Sequence, residues 1–140
     1  MEDIKPTTLE RIHIAAKREF LEKGFLGASL RNLVKWAGVT TGAFYGYYDS
    51  KEKLFDALVS EQYEHVMDMY MSTQNSFKEL EAEKQQANMG KIGGDCLEQM
   101  IDYMYANEDE FRLILMCSKG TQYENMVHEM SEVEVQATHD

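Results

Sequence analysis

Residues 29–53 read SLRNLVKWAGVTTGAFYGYYDSKEK, and this stretch decides the fold. It contains two short helical patterns separated by a glycine. Ser29 is a natural N-cap for the first short helix, and Thr40 is one for the second, which we expect to run to about Tyr47. Gly38 lies between them and can take the left-handed conformation that a tight turn requires. Two short helices joined in this way predict a helix-turn-helix, whose second helix can enter the major groove of DNA.

Side chains that point outward from the second short helix would meet the DNA. Leu33, Val39 and Phe44 can form the small core that fixes the crossing of the two helices. This core leaves a polar, tyrosine-rich set facing outward, namely Thr41, Gly42, Ala43, Tyr45, Tyr47 and Tyr48. Hydroxyl groups suit phosphate oxygens, and the ammonium of Lys51 follows closely enough to reach the backbone. Short helix pairs also occur in many all-α proteins, so the tyrosines could instead form a half-buried aromatic edge.

The segments on either side of this stretch also read as helix. A capping box that begins at Thr7 and the glycine at position 24 predict a first helix over about 8–23. Asp49 and Ser50 offer the start of a long fourth helix with an apolar side that extends to Tyr70. No stretch shows the sustained period-two alternation of a strand. The expected fold is therefore all-α.

The second half of the chain predicts four further helices. Residues 72–90 are polar, and Gly90 with the Gly93–Gly94 pair indicates a break between helices. Capping-box spacings recur beyond Ser72. They place helices at about 76–88, 92–106, 108–118 and 122–136.

Composition excludes several classes of protein. The chain has 140 residues, of which 44% are hydrophobic and 28% charged, as in a soluble globular protein. No apolar run is long enough to cross a bilayer, and the acidic opening residues do not resemble a signal peptide. Two cysteines, Cys96 and Cys117, are too few for a disulfide framework. Because disulfides are rare in reducing compartments, we expect the protein to be located in the cytoplasm.

Charge is distributed unevenly along the chain. The formal net charge is −11. Residues 1–56 carry nine Lys or Arg against eight Asp or Glu, a net charge of +1, whereas residues 57–140 carry five against seventeen, a net charge of −12. The front of the chain could therefore approach a polyanion, and the back could not.

The pattern AGVT-x-G-x-x-Y-x-Y-Y-x-SKE-x-L, which begins at Ala37, resembles the DNA-binding domain of TetR-family transcriptional regulators. The resemblance covers about residues 7–58. It implies a three-helix DNA-binding head over residues 1–56 and a helical ligand-binding, dimerising body over residues 57–140. It further implies a bacterial homodimeric repressor that binds a palindromic DNA operator and is released by a small apolar or aromatic effector.

The resemblance also assigns roles to residues of the head. Ser29, Tyr45 and Lys51 fall at positions that contact phosphates. A second group is expected to contact base edges or adjacent phosphates, namely Thr40, Thr41, Gly42, Ala43 and Tyr47. Tyr48 completes the predicted DNA surface. Two residues depart from the family pattern. Val34 replaces a usual alanine between the two helices, and Gly46 stands within the recognition helix, where glycine costs about 1 kcal/mol relative to alanine.

Methionine is frequent in the second half of the chain and allows two interpretations. Flexible thioethers can simply fill a helical core. They can also line a pliable pocket for an apolar effector, with Tyr103, Tyr123 or His128 as polar anchors. The candidate pocket residues are Met100, Tyr103, Met104, Phe111, Leu115, Tyr123, Met126 and Val127.

Other functions have weaker support in the sequence. No Ser/His, Cys/His or glycine-rich phosphate-loop arrangement accompanies the many carboxylates, so an enzyme is not expected. No cofactor or metal is expected either, because the acidic faces lack a Cys/His cluster. The alternative to a regulator is a helical interaction or ligand-binding module that has lost DNA binding, which the acid excess and Gly46 would favour. The body resembles only part of the family's body, so we expect either a piece of a longer chain or dimerisation through residues 108–136.

Overall fold

The computed structural model describes residues 5–79, 82–126 and 128–129, and the elements within them are helical. In chain order, the described residues contain the helices α1 (Thr8–Gly27), α2 (Leu30–Ala37), α3 (Thr41–Tyr45), α4 (Lys51–Glu79), α5 (Ala82–Ala106) and α6 (Glu108–Met116). The all-α expectation is confirmed. None of the helices in the described part of the chain is long and apolar enough to span a bilayer.

The first four helices begin where short polar side chains can cap them. The hydroxyl oxygens of Thr7, Ser29 and Thr40 accept hydrogen bonds from the amides three residues onward, at 3.1, 3.2 and 3.0 Å. Ser50 does the same for α4, at 3.1 Å from the amide of Lys53. Each bond satisfies an amide that the helix itself leaves unpaired. The caps predicted at Thr7, Ser29 and Thr40 are confirmed, and of the two residues predicted to start the fourth helix, Ser50 is the one whose side chain caps it.

The head has a compact aromatic core. Ile12, Phe20 and Leu33 are almost completely buried, as are Phe44 of α3 and Phe55 of α4. The rings of Phe20 and Phe55 lie edge to face with centroids 5.2 Å apart, an arrangement that favours close aromatic packing. Val39 is partly buried against this core, so the predicted small core of the helix-turn-helix is confirmed.

Arg11 holds the turn between α2 and α3. Its Nε donates to the carbonyl of Ala37 at 2.9 Å, and its Nη2 donates to the carbonyl of Gly38 at 2.6 Å. These carbonyls lie at the end of α2, where the helix leaves acceptors unpaired and carries negative partial charge. Gly38 has φ +68°, and a Cβ at this position would lie 2.8 Å from the same guanidinium. The turn therefore needs both the arginine and the glycine.

Two helix boundaries predicted for the body are wrong. Instead of ending near Ser72, α4 continues to Glu79, and α5 passes through Gly90, Gly93 and Gly94 without a break. A helical glycine costs only about 1 kcal/mol relative to alanine. The packing of α4 against α5 offsets such a cost. The separate helices predicted over 76–88 and 92–106 are thus parts of α4 and α5.

The helix predicted over 122–136 does not begin at residue 122. Residues 121–125 form turns, and the chain becomes helical at Met126. The hydroxyl of Thr121 donates to the carbonyl of Ser118 and accepts from the amide of Tyr123, at 2.7 and 3.1 Å. These bonds stabilise a turn instead of a capping box. Residues 127 and 130–136 of the predicted helix lie outside the described residues.

The contacts that join the head to the body include two from α1. The ammonium of Lys17 on α1 lies 2.7 Å from the carboxylate of Glu110 on α6, and the pair is partly buried. The amide of Phe25, at the end of α1, donates to the carbonyl of Cys117 at 2.9 Å. Since α4 also runs from the head into the body, the two parts form a continuous structure.

We predict that Gly38→Ala lowers the free energy of unfolding by about 1–2 kcal/mol. Alanine is strained at a positive φ, and its methyl group would displace the guanidinium of Arg11. The matched control is Gly42→Ala in α3, where a Cβ meets only the Thr40 hydroxyl at 3.9 Å. The control should leave stability unchanged or raise it by up to about 1 kcal/mol. Urea denaturation measures both, and equal losses would contradict the special role of Gly38.

Candidate nucleic-acid interface

An exposed strip runs along α3 and the turn after it. Thr40, Thr41 and Gly42 are exposed, and Ala43 is half-buried. Tyr45 and Tyr47 are exposed by 50% and 49%, so both hydroxyls can reach a ligand outside the protein. Phe44 is fully buried and anchors the helix from beneath. The structure therefore brings six of the predicted DNA-contact residues together on one surface.

The recognition helix is shorter than predicted. It ends at Tyr45, and Gly46 is its C-cap in the right-handed helical conformation. Gly46 thus lies at the end of α3, not in its middle. A Cβ at Gly46 would lie 3.2 Å from the carbonyl of Ala43, which is closer than normal packing allows without adjustment. The glycine therefore serves a tight helix end, and its cost to helix propensity is small there.

Tyr48 does not face outward as predicted. Its hydroxyl hydrogen-bonds to Nε2 of His13 on α1, and its ring packs near that of Phe44 with centroids 6.1 Å apart. Burial raises the pKa of the Tyr48 phenol. Burial and the nearby charge of Lys17 lower the pKa of His13, which keeps this imidazole neutral near pH 7. Tyr48 consequently anchors the end of the recognition segment to α1.

Ser29 is held by α1 as well as by its own cap. Its hydroxyl oxygen accepts from the amide of Asn32, and its backbone amide donates to Oε2 of Glu19 at 2.7 Å. Glu19 is only 1% exposed, and Lys23 lies 3.3 Å from the same oxygen. A buried carboxylate that accepts these two bonds fixes the start of α2. The Ser29 hydroxyl keeps its proton available to a phosphate.

The ammonium of Lys51 makes contacts within the head itself. Its ammonium donates to the carbonyls of Phe25 and Ala28, at 2.7 and 3.3 Å. It also sits 4.5 Å from the centroid of the Phe25 ring. Two of its three donors are therefore used to tie the start of α4 to the segment between α1 and α2. Its predicted contact with a phosphate stays a prediction.

Sequence reasoning missed three residues that support the interface. Arg11, His13 and Glu19 all lie on α1 and bond to groups 26, 35 and 10 residues further along the chain. No spacing within one helix signals such partners. These three contacts exist only in the folded chain, so the sequence alone does not predict them.

Among the described residues, those predicted to line an effector pocket lie in different surroundings. Met100, Tyr123 and Met126 are buried in the core, which agrees with thioethers as core filler. Tyr103 is partly buried and stacks on His65 with ring centroids 4.1 Å apart. His128 is exposed. Val127 lies outside the described residues.

Three of the predicted pocket residues, Met104, Phe111 and Leu115, line a groove between α5 and α6 with a volume of about 390 Å³. Ile101 and Met116 extend its apolar lining, and Glu108 and Arg112 stand at its rim as an ion pair of 2.8 Å. A volume in this range is typical of small-molecule sites. This groove is an apolar cavity that holds three of the predicted pocket residues.

A second cavity, of about 400 Å³, lies between α4 and the turns after residue 120, and it is polar. The hydroxyls of Tyr123 and Tyr63 donate to the carboxylates of Asp56 and Glu129. Burial and the bond to Glu129 raise the pKa of Tyr63 to about 12, and burial and the bond to Asp56 raise that of Tyr123 further. Both phenols are thus neutral donors across the physiological range.

Both cysteine thiols lie inside the protein. Cys96 and Cys117 are buried, and burial raises the pKa of Cys117, which favours an inert thiol. Within the described ranges, no three His, Cys, Asp or Glu side chains group closely enough to hold a metal ion.

Comparison with known proteins agrees with this geometry. Residues 12–58 match the family of bacterial regulatory proteins called the tetR family. The chain is 39% identical over 57 residues to the uncharacterized HTH-type transcriptional regulator YdgC of Bacillus subtilis, and 36% identical over 52 residues to the HTH-type transcriptional repressor BepR of Brucella suis. These segments cover 41% and 37% of this chain but only 29% and 25% of the two relatives.

The fold of the whole chain also has a solved counterpart. A transcriptional regulator of the TetR/AcrR type from Aquifex aeolicus aligns with a TM-score of 0.58 over 94% of this chain and 71% of its own, at 23% sequence identity. That likeness concerns the fold alone. The match of residues 12–58 coincides with the helix-turn-helix and its supporting helices. Residues 12–58 of the chain are therefore similar to the N-terminal domain of the tetR family of bacterial regulatory proteins.

Proposed function

We propose that the chain is a sequence-specific DNA-binding transcriptional regulator, a repressor that acts in the bacterial cytoplasm. The observation that carries the proposal is the exposed strip of α3, which is supported from beneath by Phe44 and from α1 through Tyr48. A short helix presented in this way can enter the major groove of DNA while the neighbouring helices contact the phosphate backbone of the DNA. The relative BepR, which is named a repressor, supports the direction of regulation.

The exposed residues divide into two proposed roles. Thr41 and Ala43 read base edges, because a hydroxyl can bond to several bases and a methyl group can contact the methyl of thymine. Tyr45 and Tyr47 bond to phosphates through their half-exposed hydroxyls. The hydroxyls of Ser29 and Thr40 accept from cap amides and can still donate to phosphates.

Lys51 acts in this proposal as a positioning residue. Its two bonds to backbone carbonyls hold the start of α4 against the end of α1, and the recognition helix lies directly before α4. The ammonium therefore sets where α3 sits instead of neutralising a phosphate. This assignment differs from the phosphate contact that the family resemblance implies, and the two have different consequences for salt dependence.

The charge distribution supports binding as a homodimer. A single head with a net charge of +1, attached to a body of −12, releases few counterions and binds DNA weakly. Two heads on one palindromic operator combine their affinities, because the second binding event is intramolecular. The acidic body also limits binding to unrelated DNA.

A small apolar effector is proposed to bind in the groove between α5 and α6. Phe111 lines the groove, and its neighbour Glu110 pairs with Lys17 of the head. A ligand that shifts α6 would therefore act on α1, which carries the supports of the recognition helix. An effector that binds more tightly to the shifted arrangement of α6 and α1 than to the arrangement that binds DNA would release the operator.

Selection of bound sequences from random duplex DNA tests the function directly. We expect enrichment of a palindrome, because two equivalent heads read two equivalent half-sites. Ala43→Ser should shift the selected sequence at the corresponding base pair, because the methyl contact is replaced by a hydroxyl. No enrichment would favour the alternative, an interaction module that has lost DNA binding.

The salt dependence of operator affinity separates the two roles of Lys51. We expect Lys51→Met to weaken binding without changing the slope of log K against log salt, and to lower stability by about 1–2 kcal/mol. A phosphate contact would instead reduce the slope by about 0.9 for each head. Lys119→Met removes one exposed charge from the body and is the matched control. A reduced slope for Lys51→Met alone would restore the phosphate assignment.

A thermal-shift screen of apolar compounds tests the groove. Compounds that bind it should raise the melting temperature, because they stabilise the folded state alone. Met116→Glu should abolish the shift by placing a charge at the exposed end of the groove, whereas Leu97→Glu alters an exposed α5 residue that does not line it. Shifts that survive Met116→Glu would place the effector elsewhere.

A further inference from the structure

A second exposed patch lies on the head, and it includes no residue assigned to DNA. Ile14 and Trp36 are exposed by 62% and 55%, and the guanidinium of Arg18 lies 4.0 Å from the centroid of the indole ring. These three side chains, with Arg11, Ala15 and Ala37, surround a cavity of about 210 Å³ between α1 and α2. We call this surface the Trp36 patch.

The size of the cavity indicates what it can accept. Its volume lies below the range of about 300–1,000 Å³ that is typical of small-molecule sites. One apolar side chain of a partner could fill it, between Ile14 and the indole. Tryptophan and arginine are the residue types that most often dominate binding energy at protein interfaces. The patch therefore has the size and composition of an anchor point for a polypeptide.

The charge of the patch indicates the chemistry of the partner. Arg11 and Arg18 both belong to it, and neither forms an ion pair with a carboxylate among the described residues. Glu22 lies one turn from Arg18 on α1 without pairing to it, and Lys35 precedes the tryptophan and is exposed. A partner with carboxylates around its apolar anchor would complement this surface.

We propose that the Trp36 patch is a docking site for an acidic protein segment that carries one apolar anchor residue. The anchor enters the cavity between α1 and α2, and flanking carboxylates pair with Arg18 and with the outer edge of the Arg11 guanidinium. The interaction does not depend on the proposed DNA binding, because no residue assigned to DNA lines the cavity. It would give the regulator a protein contact on its head.

Trp36 is the only tryptophan in the chain, so its fluorescence reports on the patch directly. The probe is the peptide Gly-Asp-Glu-Leu-Glu-Asp-Gly with blocked ends. Controls are the peptide with lysine at the four acidic positions and the peptide with glycine in place of leucine. We expect a saturable blue shift of emission with the acidic peptide at up to about 1 mM, and affinity at least about tenfold weaker for each control peptide.

Two variants of the full chain localise the effect. Arg18→Gln should weaken peptide binding about tenfold, because it removes the unpaired charge beside the indole. Lys53→Gln removes an equal charge from an exposed position outside the patch and should change affinity by less than about twofold. Circular dichroism checks that both variants remain helical.

Four results would overturn the proposal. The first is an absence of any emission shift with the acidic peptide. The second is an equal loss of affinity in Arg18→Gln and Lys53→Gln, which would indicate attraction to the net charge of the head alone. The third is competition between the peptide and unrelated duplex DNA, because the patch would then belong to the DNA surface. The fourth is a blue shift on raising the protein concentration alone, because the patch would then bind a second copy of the chain.

Discussion

The geometry of the head depends on how α1 holds the two ends of α2. At the end of α2, the guanidinium of Arg11 donates to two carbonyls that have no partner within the helix. At its start, the buried carboxylate of Glu19 accepts the amide of Ser29. Both are charged groups that meet the partial charge of opposite sign at a helix end. The direction in which α3 leaves the turn follows from these contacts, so α1 determines how the recognition helix is presented.

Features that depend on neighbouring residues could be predicted from the sequence, and features that depend on distant ones could not. The caps at Thr7, Ser29 and Thr40 involve atoms three residues apart, and the left-handed glycine at position 38 follows from the turn itself. The partner of Tyr48, by contrast, lies 35 residues away on α1. Nothing in the tyrosine-rich spacing distinguishes this ring from its exposed neighbour Tyr47.

The errors in the body have a related cause. Gly93 and Gly94 look like a break because glycine favours turns, but a cost of about 1 kcal/mol is small beside the packing of two long helices. Similarly, the predicted pocket residues share apolar faces at helical spacing in the sequence. In the fold, Met100 turns to the core, whereas Leu115 lines an open groove. Helical periodicity indicates which residues are apolar on one side, but not which neighbouring helix covers that side.

The way in which α3 is held has a consequence for how such a protein can diversify. The helix has five residues and would not be stable alone, so its position depends on Thr40, Phe44 and Tyr48. None of these anchors is a residue that we assign to reading bases. The two positions that we propose to read bases are exposed at Thr41 and half-buried at Ala43. Changes in target preference can therefore accumulate at these two positions while the scaffold that presents them stays intact.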